Sequence, residues 1–258
     1  MKPTFVALTL CILASPVVGA SPADEAFENL ANEYLSDLTN LSPVNATLIG
    51  VHSADAELDR VGAQARVEQR ELLQDYATAL TAIDREKLTR ANQVDAALLL
   101  HEVESSLWAL DTLQEWAWNP LHYVSLSGSA IYGLLARDFA PLDERLLNAA
   151  SRLEQVPRFL EQARSSLEPD RVPKIHAETA VAQNPGLLSI IDTMIVPQMG
   201  ALPAEQRLRL ETAIETAKNA VAGHQTWLEE DLLPRANGDF RIGAELYDTK
   251  LAFALNSP

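Results

Sequence analysis

Apolar residues recur at helical spacing along most of this sequence, and runs that alternate apolar with polar residues are scarce. A half-buried strand needs such alternation, whereas a helix needs an apolar stripe every three to four residues. The chain is therefore restricted to helix packing on helix, which predicts an all-α, mainly helical, multi-helix array with no major sheet. Punctuation residues agree with that reading. Ser21-Pro22 starts a helix, with Asp24 and Glu25 at the positive end of its dipole, and Phe27, Leu30, Ala31, Tyr34, Leu35 and Leu38 follow on one face. Ser42-Pro43 restarts a shorter helix that Gly50 closes, and a polar loop then carries His52 and Asp55.

Two long helical stretches follow, at about 61–83 and 86–113, the second with Leu88, Leu98, Leu99, Val103, Leu107, Leu110 and Leu113 as its expected inward face. Residues 116–133 are aromatic and turn-rich. Asn119-Pro120 and Ser127-Gly128 predict an interrupted segment there, a loop packed into the core. Helical spacing returns at 142–153, continues past Pro157 to Leu167 and resumes over 175–181. Pro185-Gly186 marks another start, Pro203 opens a long polar helix reaching 233, and the last helix covers 242–255. No repeat of fixed period and no low-complexity linker divides the chain.

The first twenty residues read as a targeting segment. Lys2 supplies a positive start, 5–18 an apolar stretch, and Val18-Gly19-Ala20 a small-residue cleavage site before Ser21. That apolar run is shorter than the roughly 20 residues a spanning helix needs, so no stable membrane anchor is expected. The domain reading is a signal peptide at 1–20 and a helical domain at 21–258, exported to the periplasm or outside the cell. Cys11 is the one cysteine and lies inside the leader, following Leu10 where a lipid-attachment site wants a small residue. After cleavage neither disulfides nor thiolate chemistry is available, so packing must hold the fold.

Formal charge is −16, and Lys2 is the leader's one charged residue, so cleavage makes the chain one unit more negative. Such a surface repels phosphate backbones, and no basic stripe interleaved with aromatics offsets it; nucleic acid is excluded as a partner. The acids are spread along helical segments, as on a solvated face.

The chemistry-bearing patterns are incomplete. A zinc peptidase helix places two histidines four residues apart with a glutamate beside the first; His101-Glu102 begins that pattern, but Ser105 stands where the second histidine belongs. Gly128 and Gly133 have phosphate-loop spacing, yet Leu134 replaces the lysine. Ser127 and Ser129 flank Gly128 without completing a nucleophile elbow. Glu102 and Glu104 point to different sides of a helix and cannot flank a scissile bond together. No catalytic residue, metal ligand or cofactor is assigned. The aromatics Trp108, Trp116, Trp118, Tyr123 and Tyr132 suit either a stacking cleft or a core.

Several segments, taken together, resemble the N-terminal half of the bacterial family called domain of unknown function 885. They are 43–52 with Asp55, Leu58 and Asp59; Gln93-Val94-Asp95 with Leu98; 119–123; Arg152-Leu153 with Pro157, Leu160, Ala163 and Leu167; and 240–247 leading to Lys250-Leu251. The resemblance implies an exported, helical, zinc-metallopeptidase-like protein about twice this length, whose His-Glu-x-x-His helix lies in the C-terminal half. This sequence ends seven residues after Leu251, before such a helix. The resemblance therefore implies a noncatalytic N-terminal portion, with zinc expected only where the C-terminal half is present. Its partners would be a peptide substrate or that half. It also implies that the helices form one wall of a substrate channel, with His52, Tyr123 and Tyr247 as candidate wall residues; a loop-capping histidine and two packed tyrosines are the other reading. A self-sufficient helical binding or interaction module is the alternative function, and a complete enzyme with an unrecognised site a third.

Overall fold

The chain is described by a computed structural model over residues 21–255; the leader, Cys11, the cleavage site, Asn256 and Pro258 lie outside the described residues. Helix starts coincide with prolines because a first-turn residue has no helical acceptor for its N–H in any case. Helix α1 (Pro22–Leu41) begins in a capping box: Ser21 Oγ accepts the Asp24 N–H, and the Asp24 carboxylate accepts the Ser21 N–H, each at 3.1 Å. Helix α2 (Pro43–Ile49) ends at Gly50, whose φ of +92° would strain any other residue.

Beyond the 50–61 loop come α3 (Ala63–Ala82), α4 (Arg90–Trp108), α5 (Glu115–Trp118), α6 (Pro120–Leu135) and α7 (Leu142–Ser166). These are followed by α8 (Lys174–Gln183), α9 (Gly186–Ile190), α10 (Ala204–Trp227), α11 (Leu233–Arg235) and α12 (Ala244–Leu255). Single π-helical turns extend α4, α9 and α10, at Ala109–Leu113, Ile191–Ile195 and Leu228–Leu232. Among the described residues the one strand-like pairing is an isolated parallel bridge between Pro173 and Gly238. The all-α expectation holds.

Apolar side chains gather into two cores. The smaller joins α1, α3 and α4 through Phe27, Tyr34, Leu73, Tyr76, Leu80 and Val103. Asp24 locks it: this buried carboxylate accepts from the Thr89 N–H (2.9 Å), Thr89 Oγ1 (3.0 Å) and Asn92 Nδ2 (2.8 Å). The Thr89 amide is the main cause that holds its pKa well below the usual range. The larger core packs α2 and α6 to α10 around Tyr123, Ile131, Leu134, Leu153, Phe159 and Leu210. The two longest helices, α7 and α10, pack along each other, and Arg209 of α10 joins Glu154 and Ser151 of α7 across that contact.

Arg152, fully buried on α7, ties the 50–61 loop and its neighbours to the larger core. Its guanidinium donates to the carbonyls of Glu57 (2.9 Å), Ala130 (2.7 Å) and Pro43 (3.2 Å), and to Thr47 Oγ1 (2.7 Å). Thr47 passes the bond to Asp55, whose other oxygen meets His52 Nδ1 at 3.0 Å. Burial pulls the Arg152 pKa down to about 10, while Asp55, Asp59 and Glu57 oppose that shift, so the side chain stays cationic near neutrality.

Two expectations are corrected. Residues 116–133, expected as a broken loop, fall instead in the short α5 and in α6, one continuous helix over Pro120–Leu135. Asn119 Oδ1 accepts the Leu121 N–H at 3.2 Å and Pro120 takes the first helical position, so the Asn-Pro pair starts α6 instead of breaking it. Gly133 serves packing, since a Cβ there would stand 3.1 Å from Leu48 Cδ2, whereas one at Gly128 would meet Ile190 Cδ1 at 3.6 Å, an ordinary contact that a side chain could make. Tertiary burial thus offsets the cost of about 1 kcal/mol per helical glycine. Leu35 and Leu98, expected inward, are 57% and 48% exposed. The inward stripe of α4 runs through Asn92, Ala96, Leu99, Val103 and Leu107, and Leu98 lies one residue off it.

Candidate functional site

Between the two cores lies a cleft of about 350 Å³. The end of α1 (Leu41, Ser42), the loop entering α3 (Asp59, Arg60, Val61), Arg66 and Gln69 of α3, and Ser106, Ala109 and Leu110 line one part. Glu115 and Trp116 of α5, with His122, Tyr123 and Leu126 of α6, line the rest. Junctions between packed units are common ligand sites, because neither core has to be opened to leave a concavity.

The π turn after α4 shapes this wall. Such a turn shifts the hydrogen-bond register and leaves carbonyls to be satisfied from elsewhere. Here the indole of Trp116 donates Nε1–H to the Leu110 carbonyl at 2.9 Å, and Trp118 does the same for Leu113 at 2.9 Å. Gln114, left-handed at φ 53°, reverses the chain between them. The Trp116 ring is thereby fixed as a platform, and the Arg66 guanidinium lies over it at 4.0 Å.

Tyr123 is buried at the cleft floor and donates its hydroxyl to the Trp116 carbonyl at 2.6 Å. Burial pushes its pKa up to about 12. Asp59 accepts from the Val44 N–H and from Ser42 Oγ, both at 2.9 Å; burial still raises its carboxyl pKa because desolvation outweighs those donors. His122 is exposed at the rim, where partial desolvation pulls its imidazole pKa down against upward pulls from Glu115 and Asp59. Ser106 Oγ turns to Glu102 and Ser42 Oγ to Asp59, so neither is joined to His122 as nucleophile to base. The arrangement suits binding: apolar walls, an aromatic platform and a few fixed polar groups.

Of the three wall residues expected from sequence, the structure places Tyr123 alone in this cleft. His52 lies in the loop braced by Arg152, stacked on Phe139 with ring centroids 3.7 Å apart. Tyr247 is on α12 and 56% exposed. Among the aromatics weighed as a stacking cleft, Trp116 joins Tyr123, whereas Trp108 packs on Phe253 and Trp118 on His176. Arg66 was not legible, since an arginine on a polar helix gives no sequence sign that it folds over an indole fifty positions away.

The incomplete zinc pattern goes to a different use. His101 Nε2 lies 2.9 Å from the Phe253 carbonyl, joining α4 to α12. Among the described residues no group of three or more His, Cys, Asp or Glu side chains is placed to hold a metal ion. None of the described helices is long and apolar enough to cross a membrane.

The family described as "Bacterial protein of unknown function (DUF885)" matches residues 43–258. Among solved structures, one described as "a putative lipoprotein of unknown function from Shewanella oneidensis" superposes with a TM-score of 0.80 at 27% identity. The match covers 88% of this chain and 42% of that one, so this chain spans less than half the length of that relative. No curated protein matches it.

Proposed function

The chain belongs to the DUF885 family of bacterial proteins of unknown function, and from that premise we propose that residues 21–255 are a noncatalytic helical portion of an exported, metallopeptidase-like protein. In this reading they form one wall of a peptide channel and pack against a complementary half. The observation that carries the proposal is the outer face of α12. Tyr247, Leu251 and Leu255 recur at four-residue spacing and are 56%, 41% and 64% exposed, and no residue of this helix is buried. Its other side is already docked: Phe253 packs against His101 and Trp108, and Lys250 Nζ reaches Glu115 at 2.9 Å. A helix docked on one face with an apolar stripe outward marks a surface for a further polypeptide.

The greater length of the solved relative supports a complementary half as that cover, and its description as a lipoprotein supports export. Tyr123 then belongs to the channel wall, His52 braces the loop whose far end lines the cleft, and Tyr247 meets the complementary half. Any zinc would be carried by that half.

Purified chain from Ser21 onward tests the reading. It should hydrolyse no peptide, bind a hydrophobic dye and self-associate, and Tyr247→Lys with Leu251→Glu should suppress the last two. Hydrolysis by this chain alone would overturn the noncatalytic assignment. A monomer that melts cooperatively and binds no dye would instead favour a self-sufficient binding module, a reading that the closed core around α7 and α10 supports.

A further inference from the structure

We propose that the cleft between the two cores binds a ligand carrying a free carboxylate next to an apolar body, with Arg66 as its anchor. The inference deepens the channel-wall reading and rests on this cleft being open to ligand. Arg145 and Arg152 are buried and Arg66 and Arg158 half-buried, and these guanidinium groups are compensated differently. Arg145 pairs with Asp138 at 2.7 Å. Arg152 and Arg158 spend their donors largely on carbonyls and have Asp59 and Glu57 as charged neighbours. Among the described residues Arg66 has no such acid. The charged or ionisable groups that act on it are Tyr123 and Arg70, and burial disfavours its cation. In a chain with 36 acidic residues against 20 basic ones, a half-buried guanidinium without a protein carboxylate is an unusual arrangement.

The donors left over have a definite geometry. Nη1 donates to the Val61 carbonyl (2.9 Å) and to Ser166 Oγ (2.8 Å). Among the described residues, Nε and Nη2 have no acceptor, and that edge presents two parallel N–H groups of the kind a carboxylate accepts in bidentate fashion. The contacts at Nη1 and the Trp116 ring beneath hold the guanidinium plane, so little side-chain freedom is left to lose on binding. Around it, Leu41, Val61, Leu110 and Leu126 supply apolar wall for the rest of the ligand. The acids that line the cleft are otherwise engaged: Asp59 with Ser42 and Val44, Glu115 with Lys250.

The chemistry fits a free small acid and a peptide C-terminus equally, and the test separates them. Calorimetric titration of the chain with N-acetylphenylalanine, with its amide, and with a tripeptide ending in phenylalanine as acid or amide should show each acid binding about tenfold more tightly than its amide. A preference for the tripeptide acid over the small acid assigns the site to peptide ends; equal affinity assigns it to small acids. Arg66→Gln should abolish the acid–amide difference. Because Arg66 also holds Val61 and Ser166, two variants that leave it intact guard against misfolding. Ala109→Trp, from an exposed rim position, should block all binding, and Gln69→Glu, one helical turn from Arg66, should weaken the acids selectively. If acids and amides bind equally and Ala109→Trp still blocks them, the carboxylate assignment falls and the channel wall survives. If none of the four probes binds, both fall.

Discussion

Replacing His224 tests how burial of one imidazole couples stability to pH. His224 lies near the end of α10, 2% exposed, stacked on Trp227 with centroids 5.5 Å apart, and among the described residues its Nδ1 has no hydrogen-bond partner. Burial, assisted by the nearby Arg164 cation, pulls its pKa down from 6.5 to about 4. The sign follows from that direction. Between these two values the unfolded chain takes up a proton that the folded chain refuses, so stability is present above pH 6.5 and is lost as pH falls toward 4. With those two pKa values, passing from pH 7 to pH 5 costs about 2 kcal/mol from this residue alone, and reaching pH 4 about 3 kcal/mol. His224→Phe keeps a ring against Trp227 and removes the titration. Urea unfolding of both proteins at pH 7 and pH 5 should show the variant losing about 2 kcal/mol less across that interval, or roughly 4–8 °C less in melting temperature. Carboxylates titrate in both proteins and cancel in the difference. Parallel losses, or an NMR titration that places the His224 imidazole near 6.5 in the folded chain, would refute the argument.

Arg152→Met should destabilise by about 3–5 kcal/mol, because the buried Asp55 carboxylate loses its countercharge and several buried oxygens lose their donor; a loss of about 1 kcal/mol or less by denaturant titration would show that the network is not the brace described. At Gly238 a Cβ would fall 2.1 Å from the Arg171 carbonyl oxygen, where the chain instead donates its N–H to Val172 at 3.0 Å. Gly238→Ala should therefore free the segment leading to α12 and hasten proteolysis after residue 236, with a global cost of about 1–3 kcal/mol; unchanged cleavage would count against that docking.

Residues that act locally were legible as sequence. Ser21, Asp24 and Pro22 make a helix start whatever follows, Gly50 closes α2 through its own backbone freedom, and the spacing of Phe27, Leu30 and Tyr34 defines a buried face before any partner is known. Local rules misread 116–133 because Asn-Pro and Ser-Gly pairs weaken an isolated helix, whereas here Asn119 caps α6 and burial of its apolar face in the larger core holds the helix through Gly128. Among the proposed site residues, Tyr123 was found by its segment, and Trp116 was legible only as one aromatic among several. Arg66 gave no sign, since its role depends on the π turn after α4 and on the indole that this turn presents.

The sequence by itself determined an all-helical chain, the positions of most helix starts, and a core that must hold without disulfides, because periodicity, capping and cysteine content act within a few residues. Only the tertiary structure decided that two cores leave a cleft between them, that one uncompensated guanidinium stands in it, and that α12 keeps an apolar face outward. Those outcomes depend on which surfaces meet across dozens of residues, and long-range packing sets that pairing after local propensity has formed the helices.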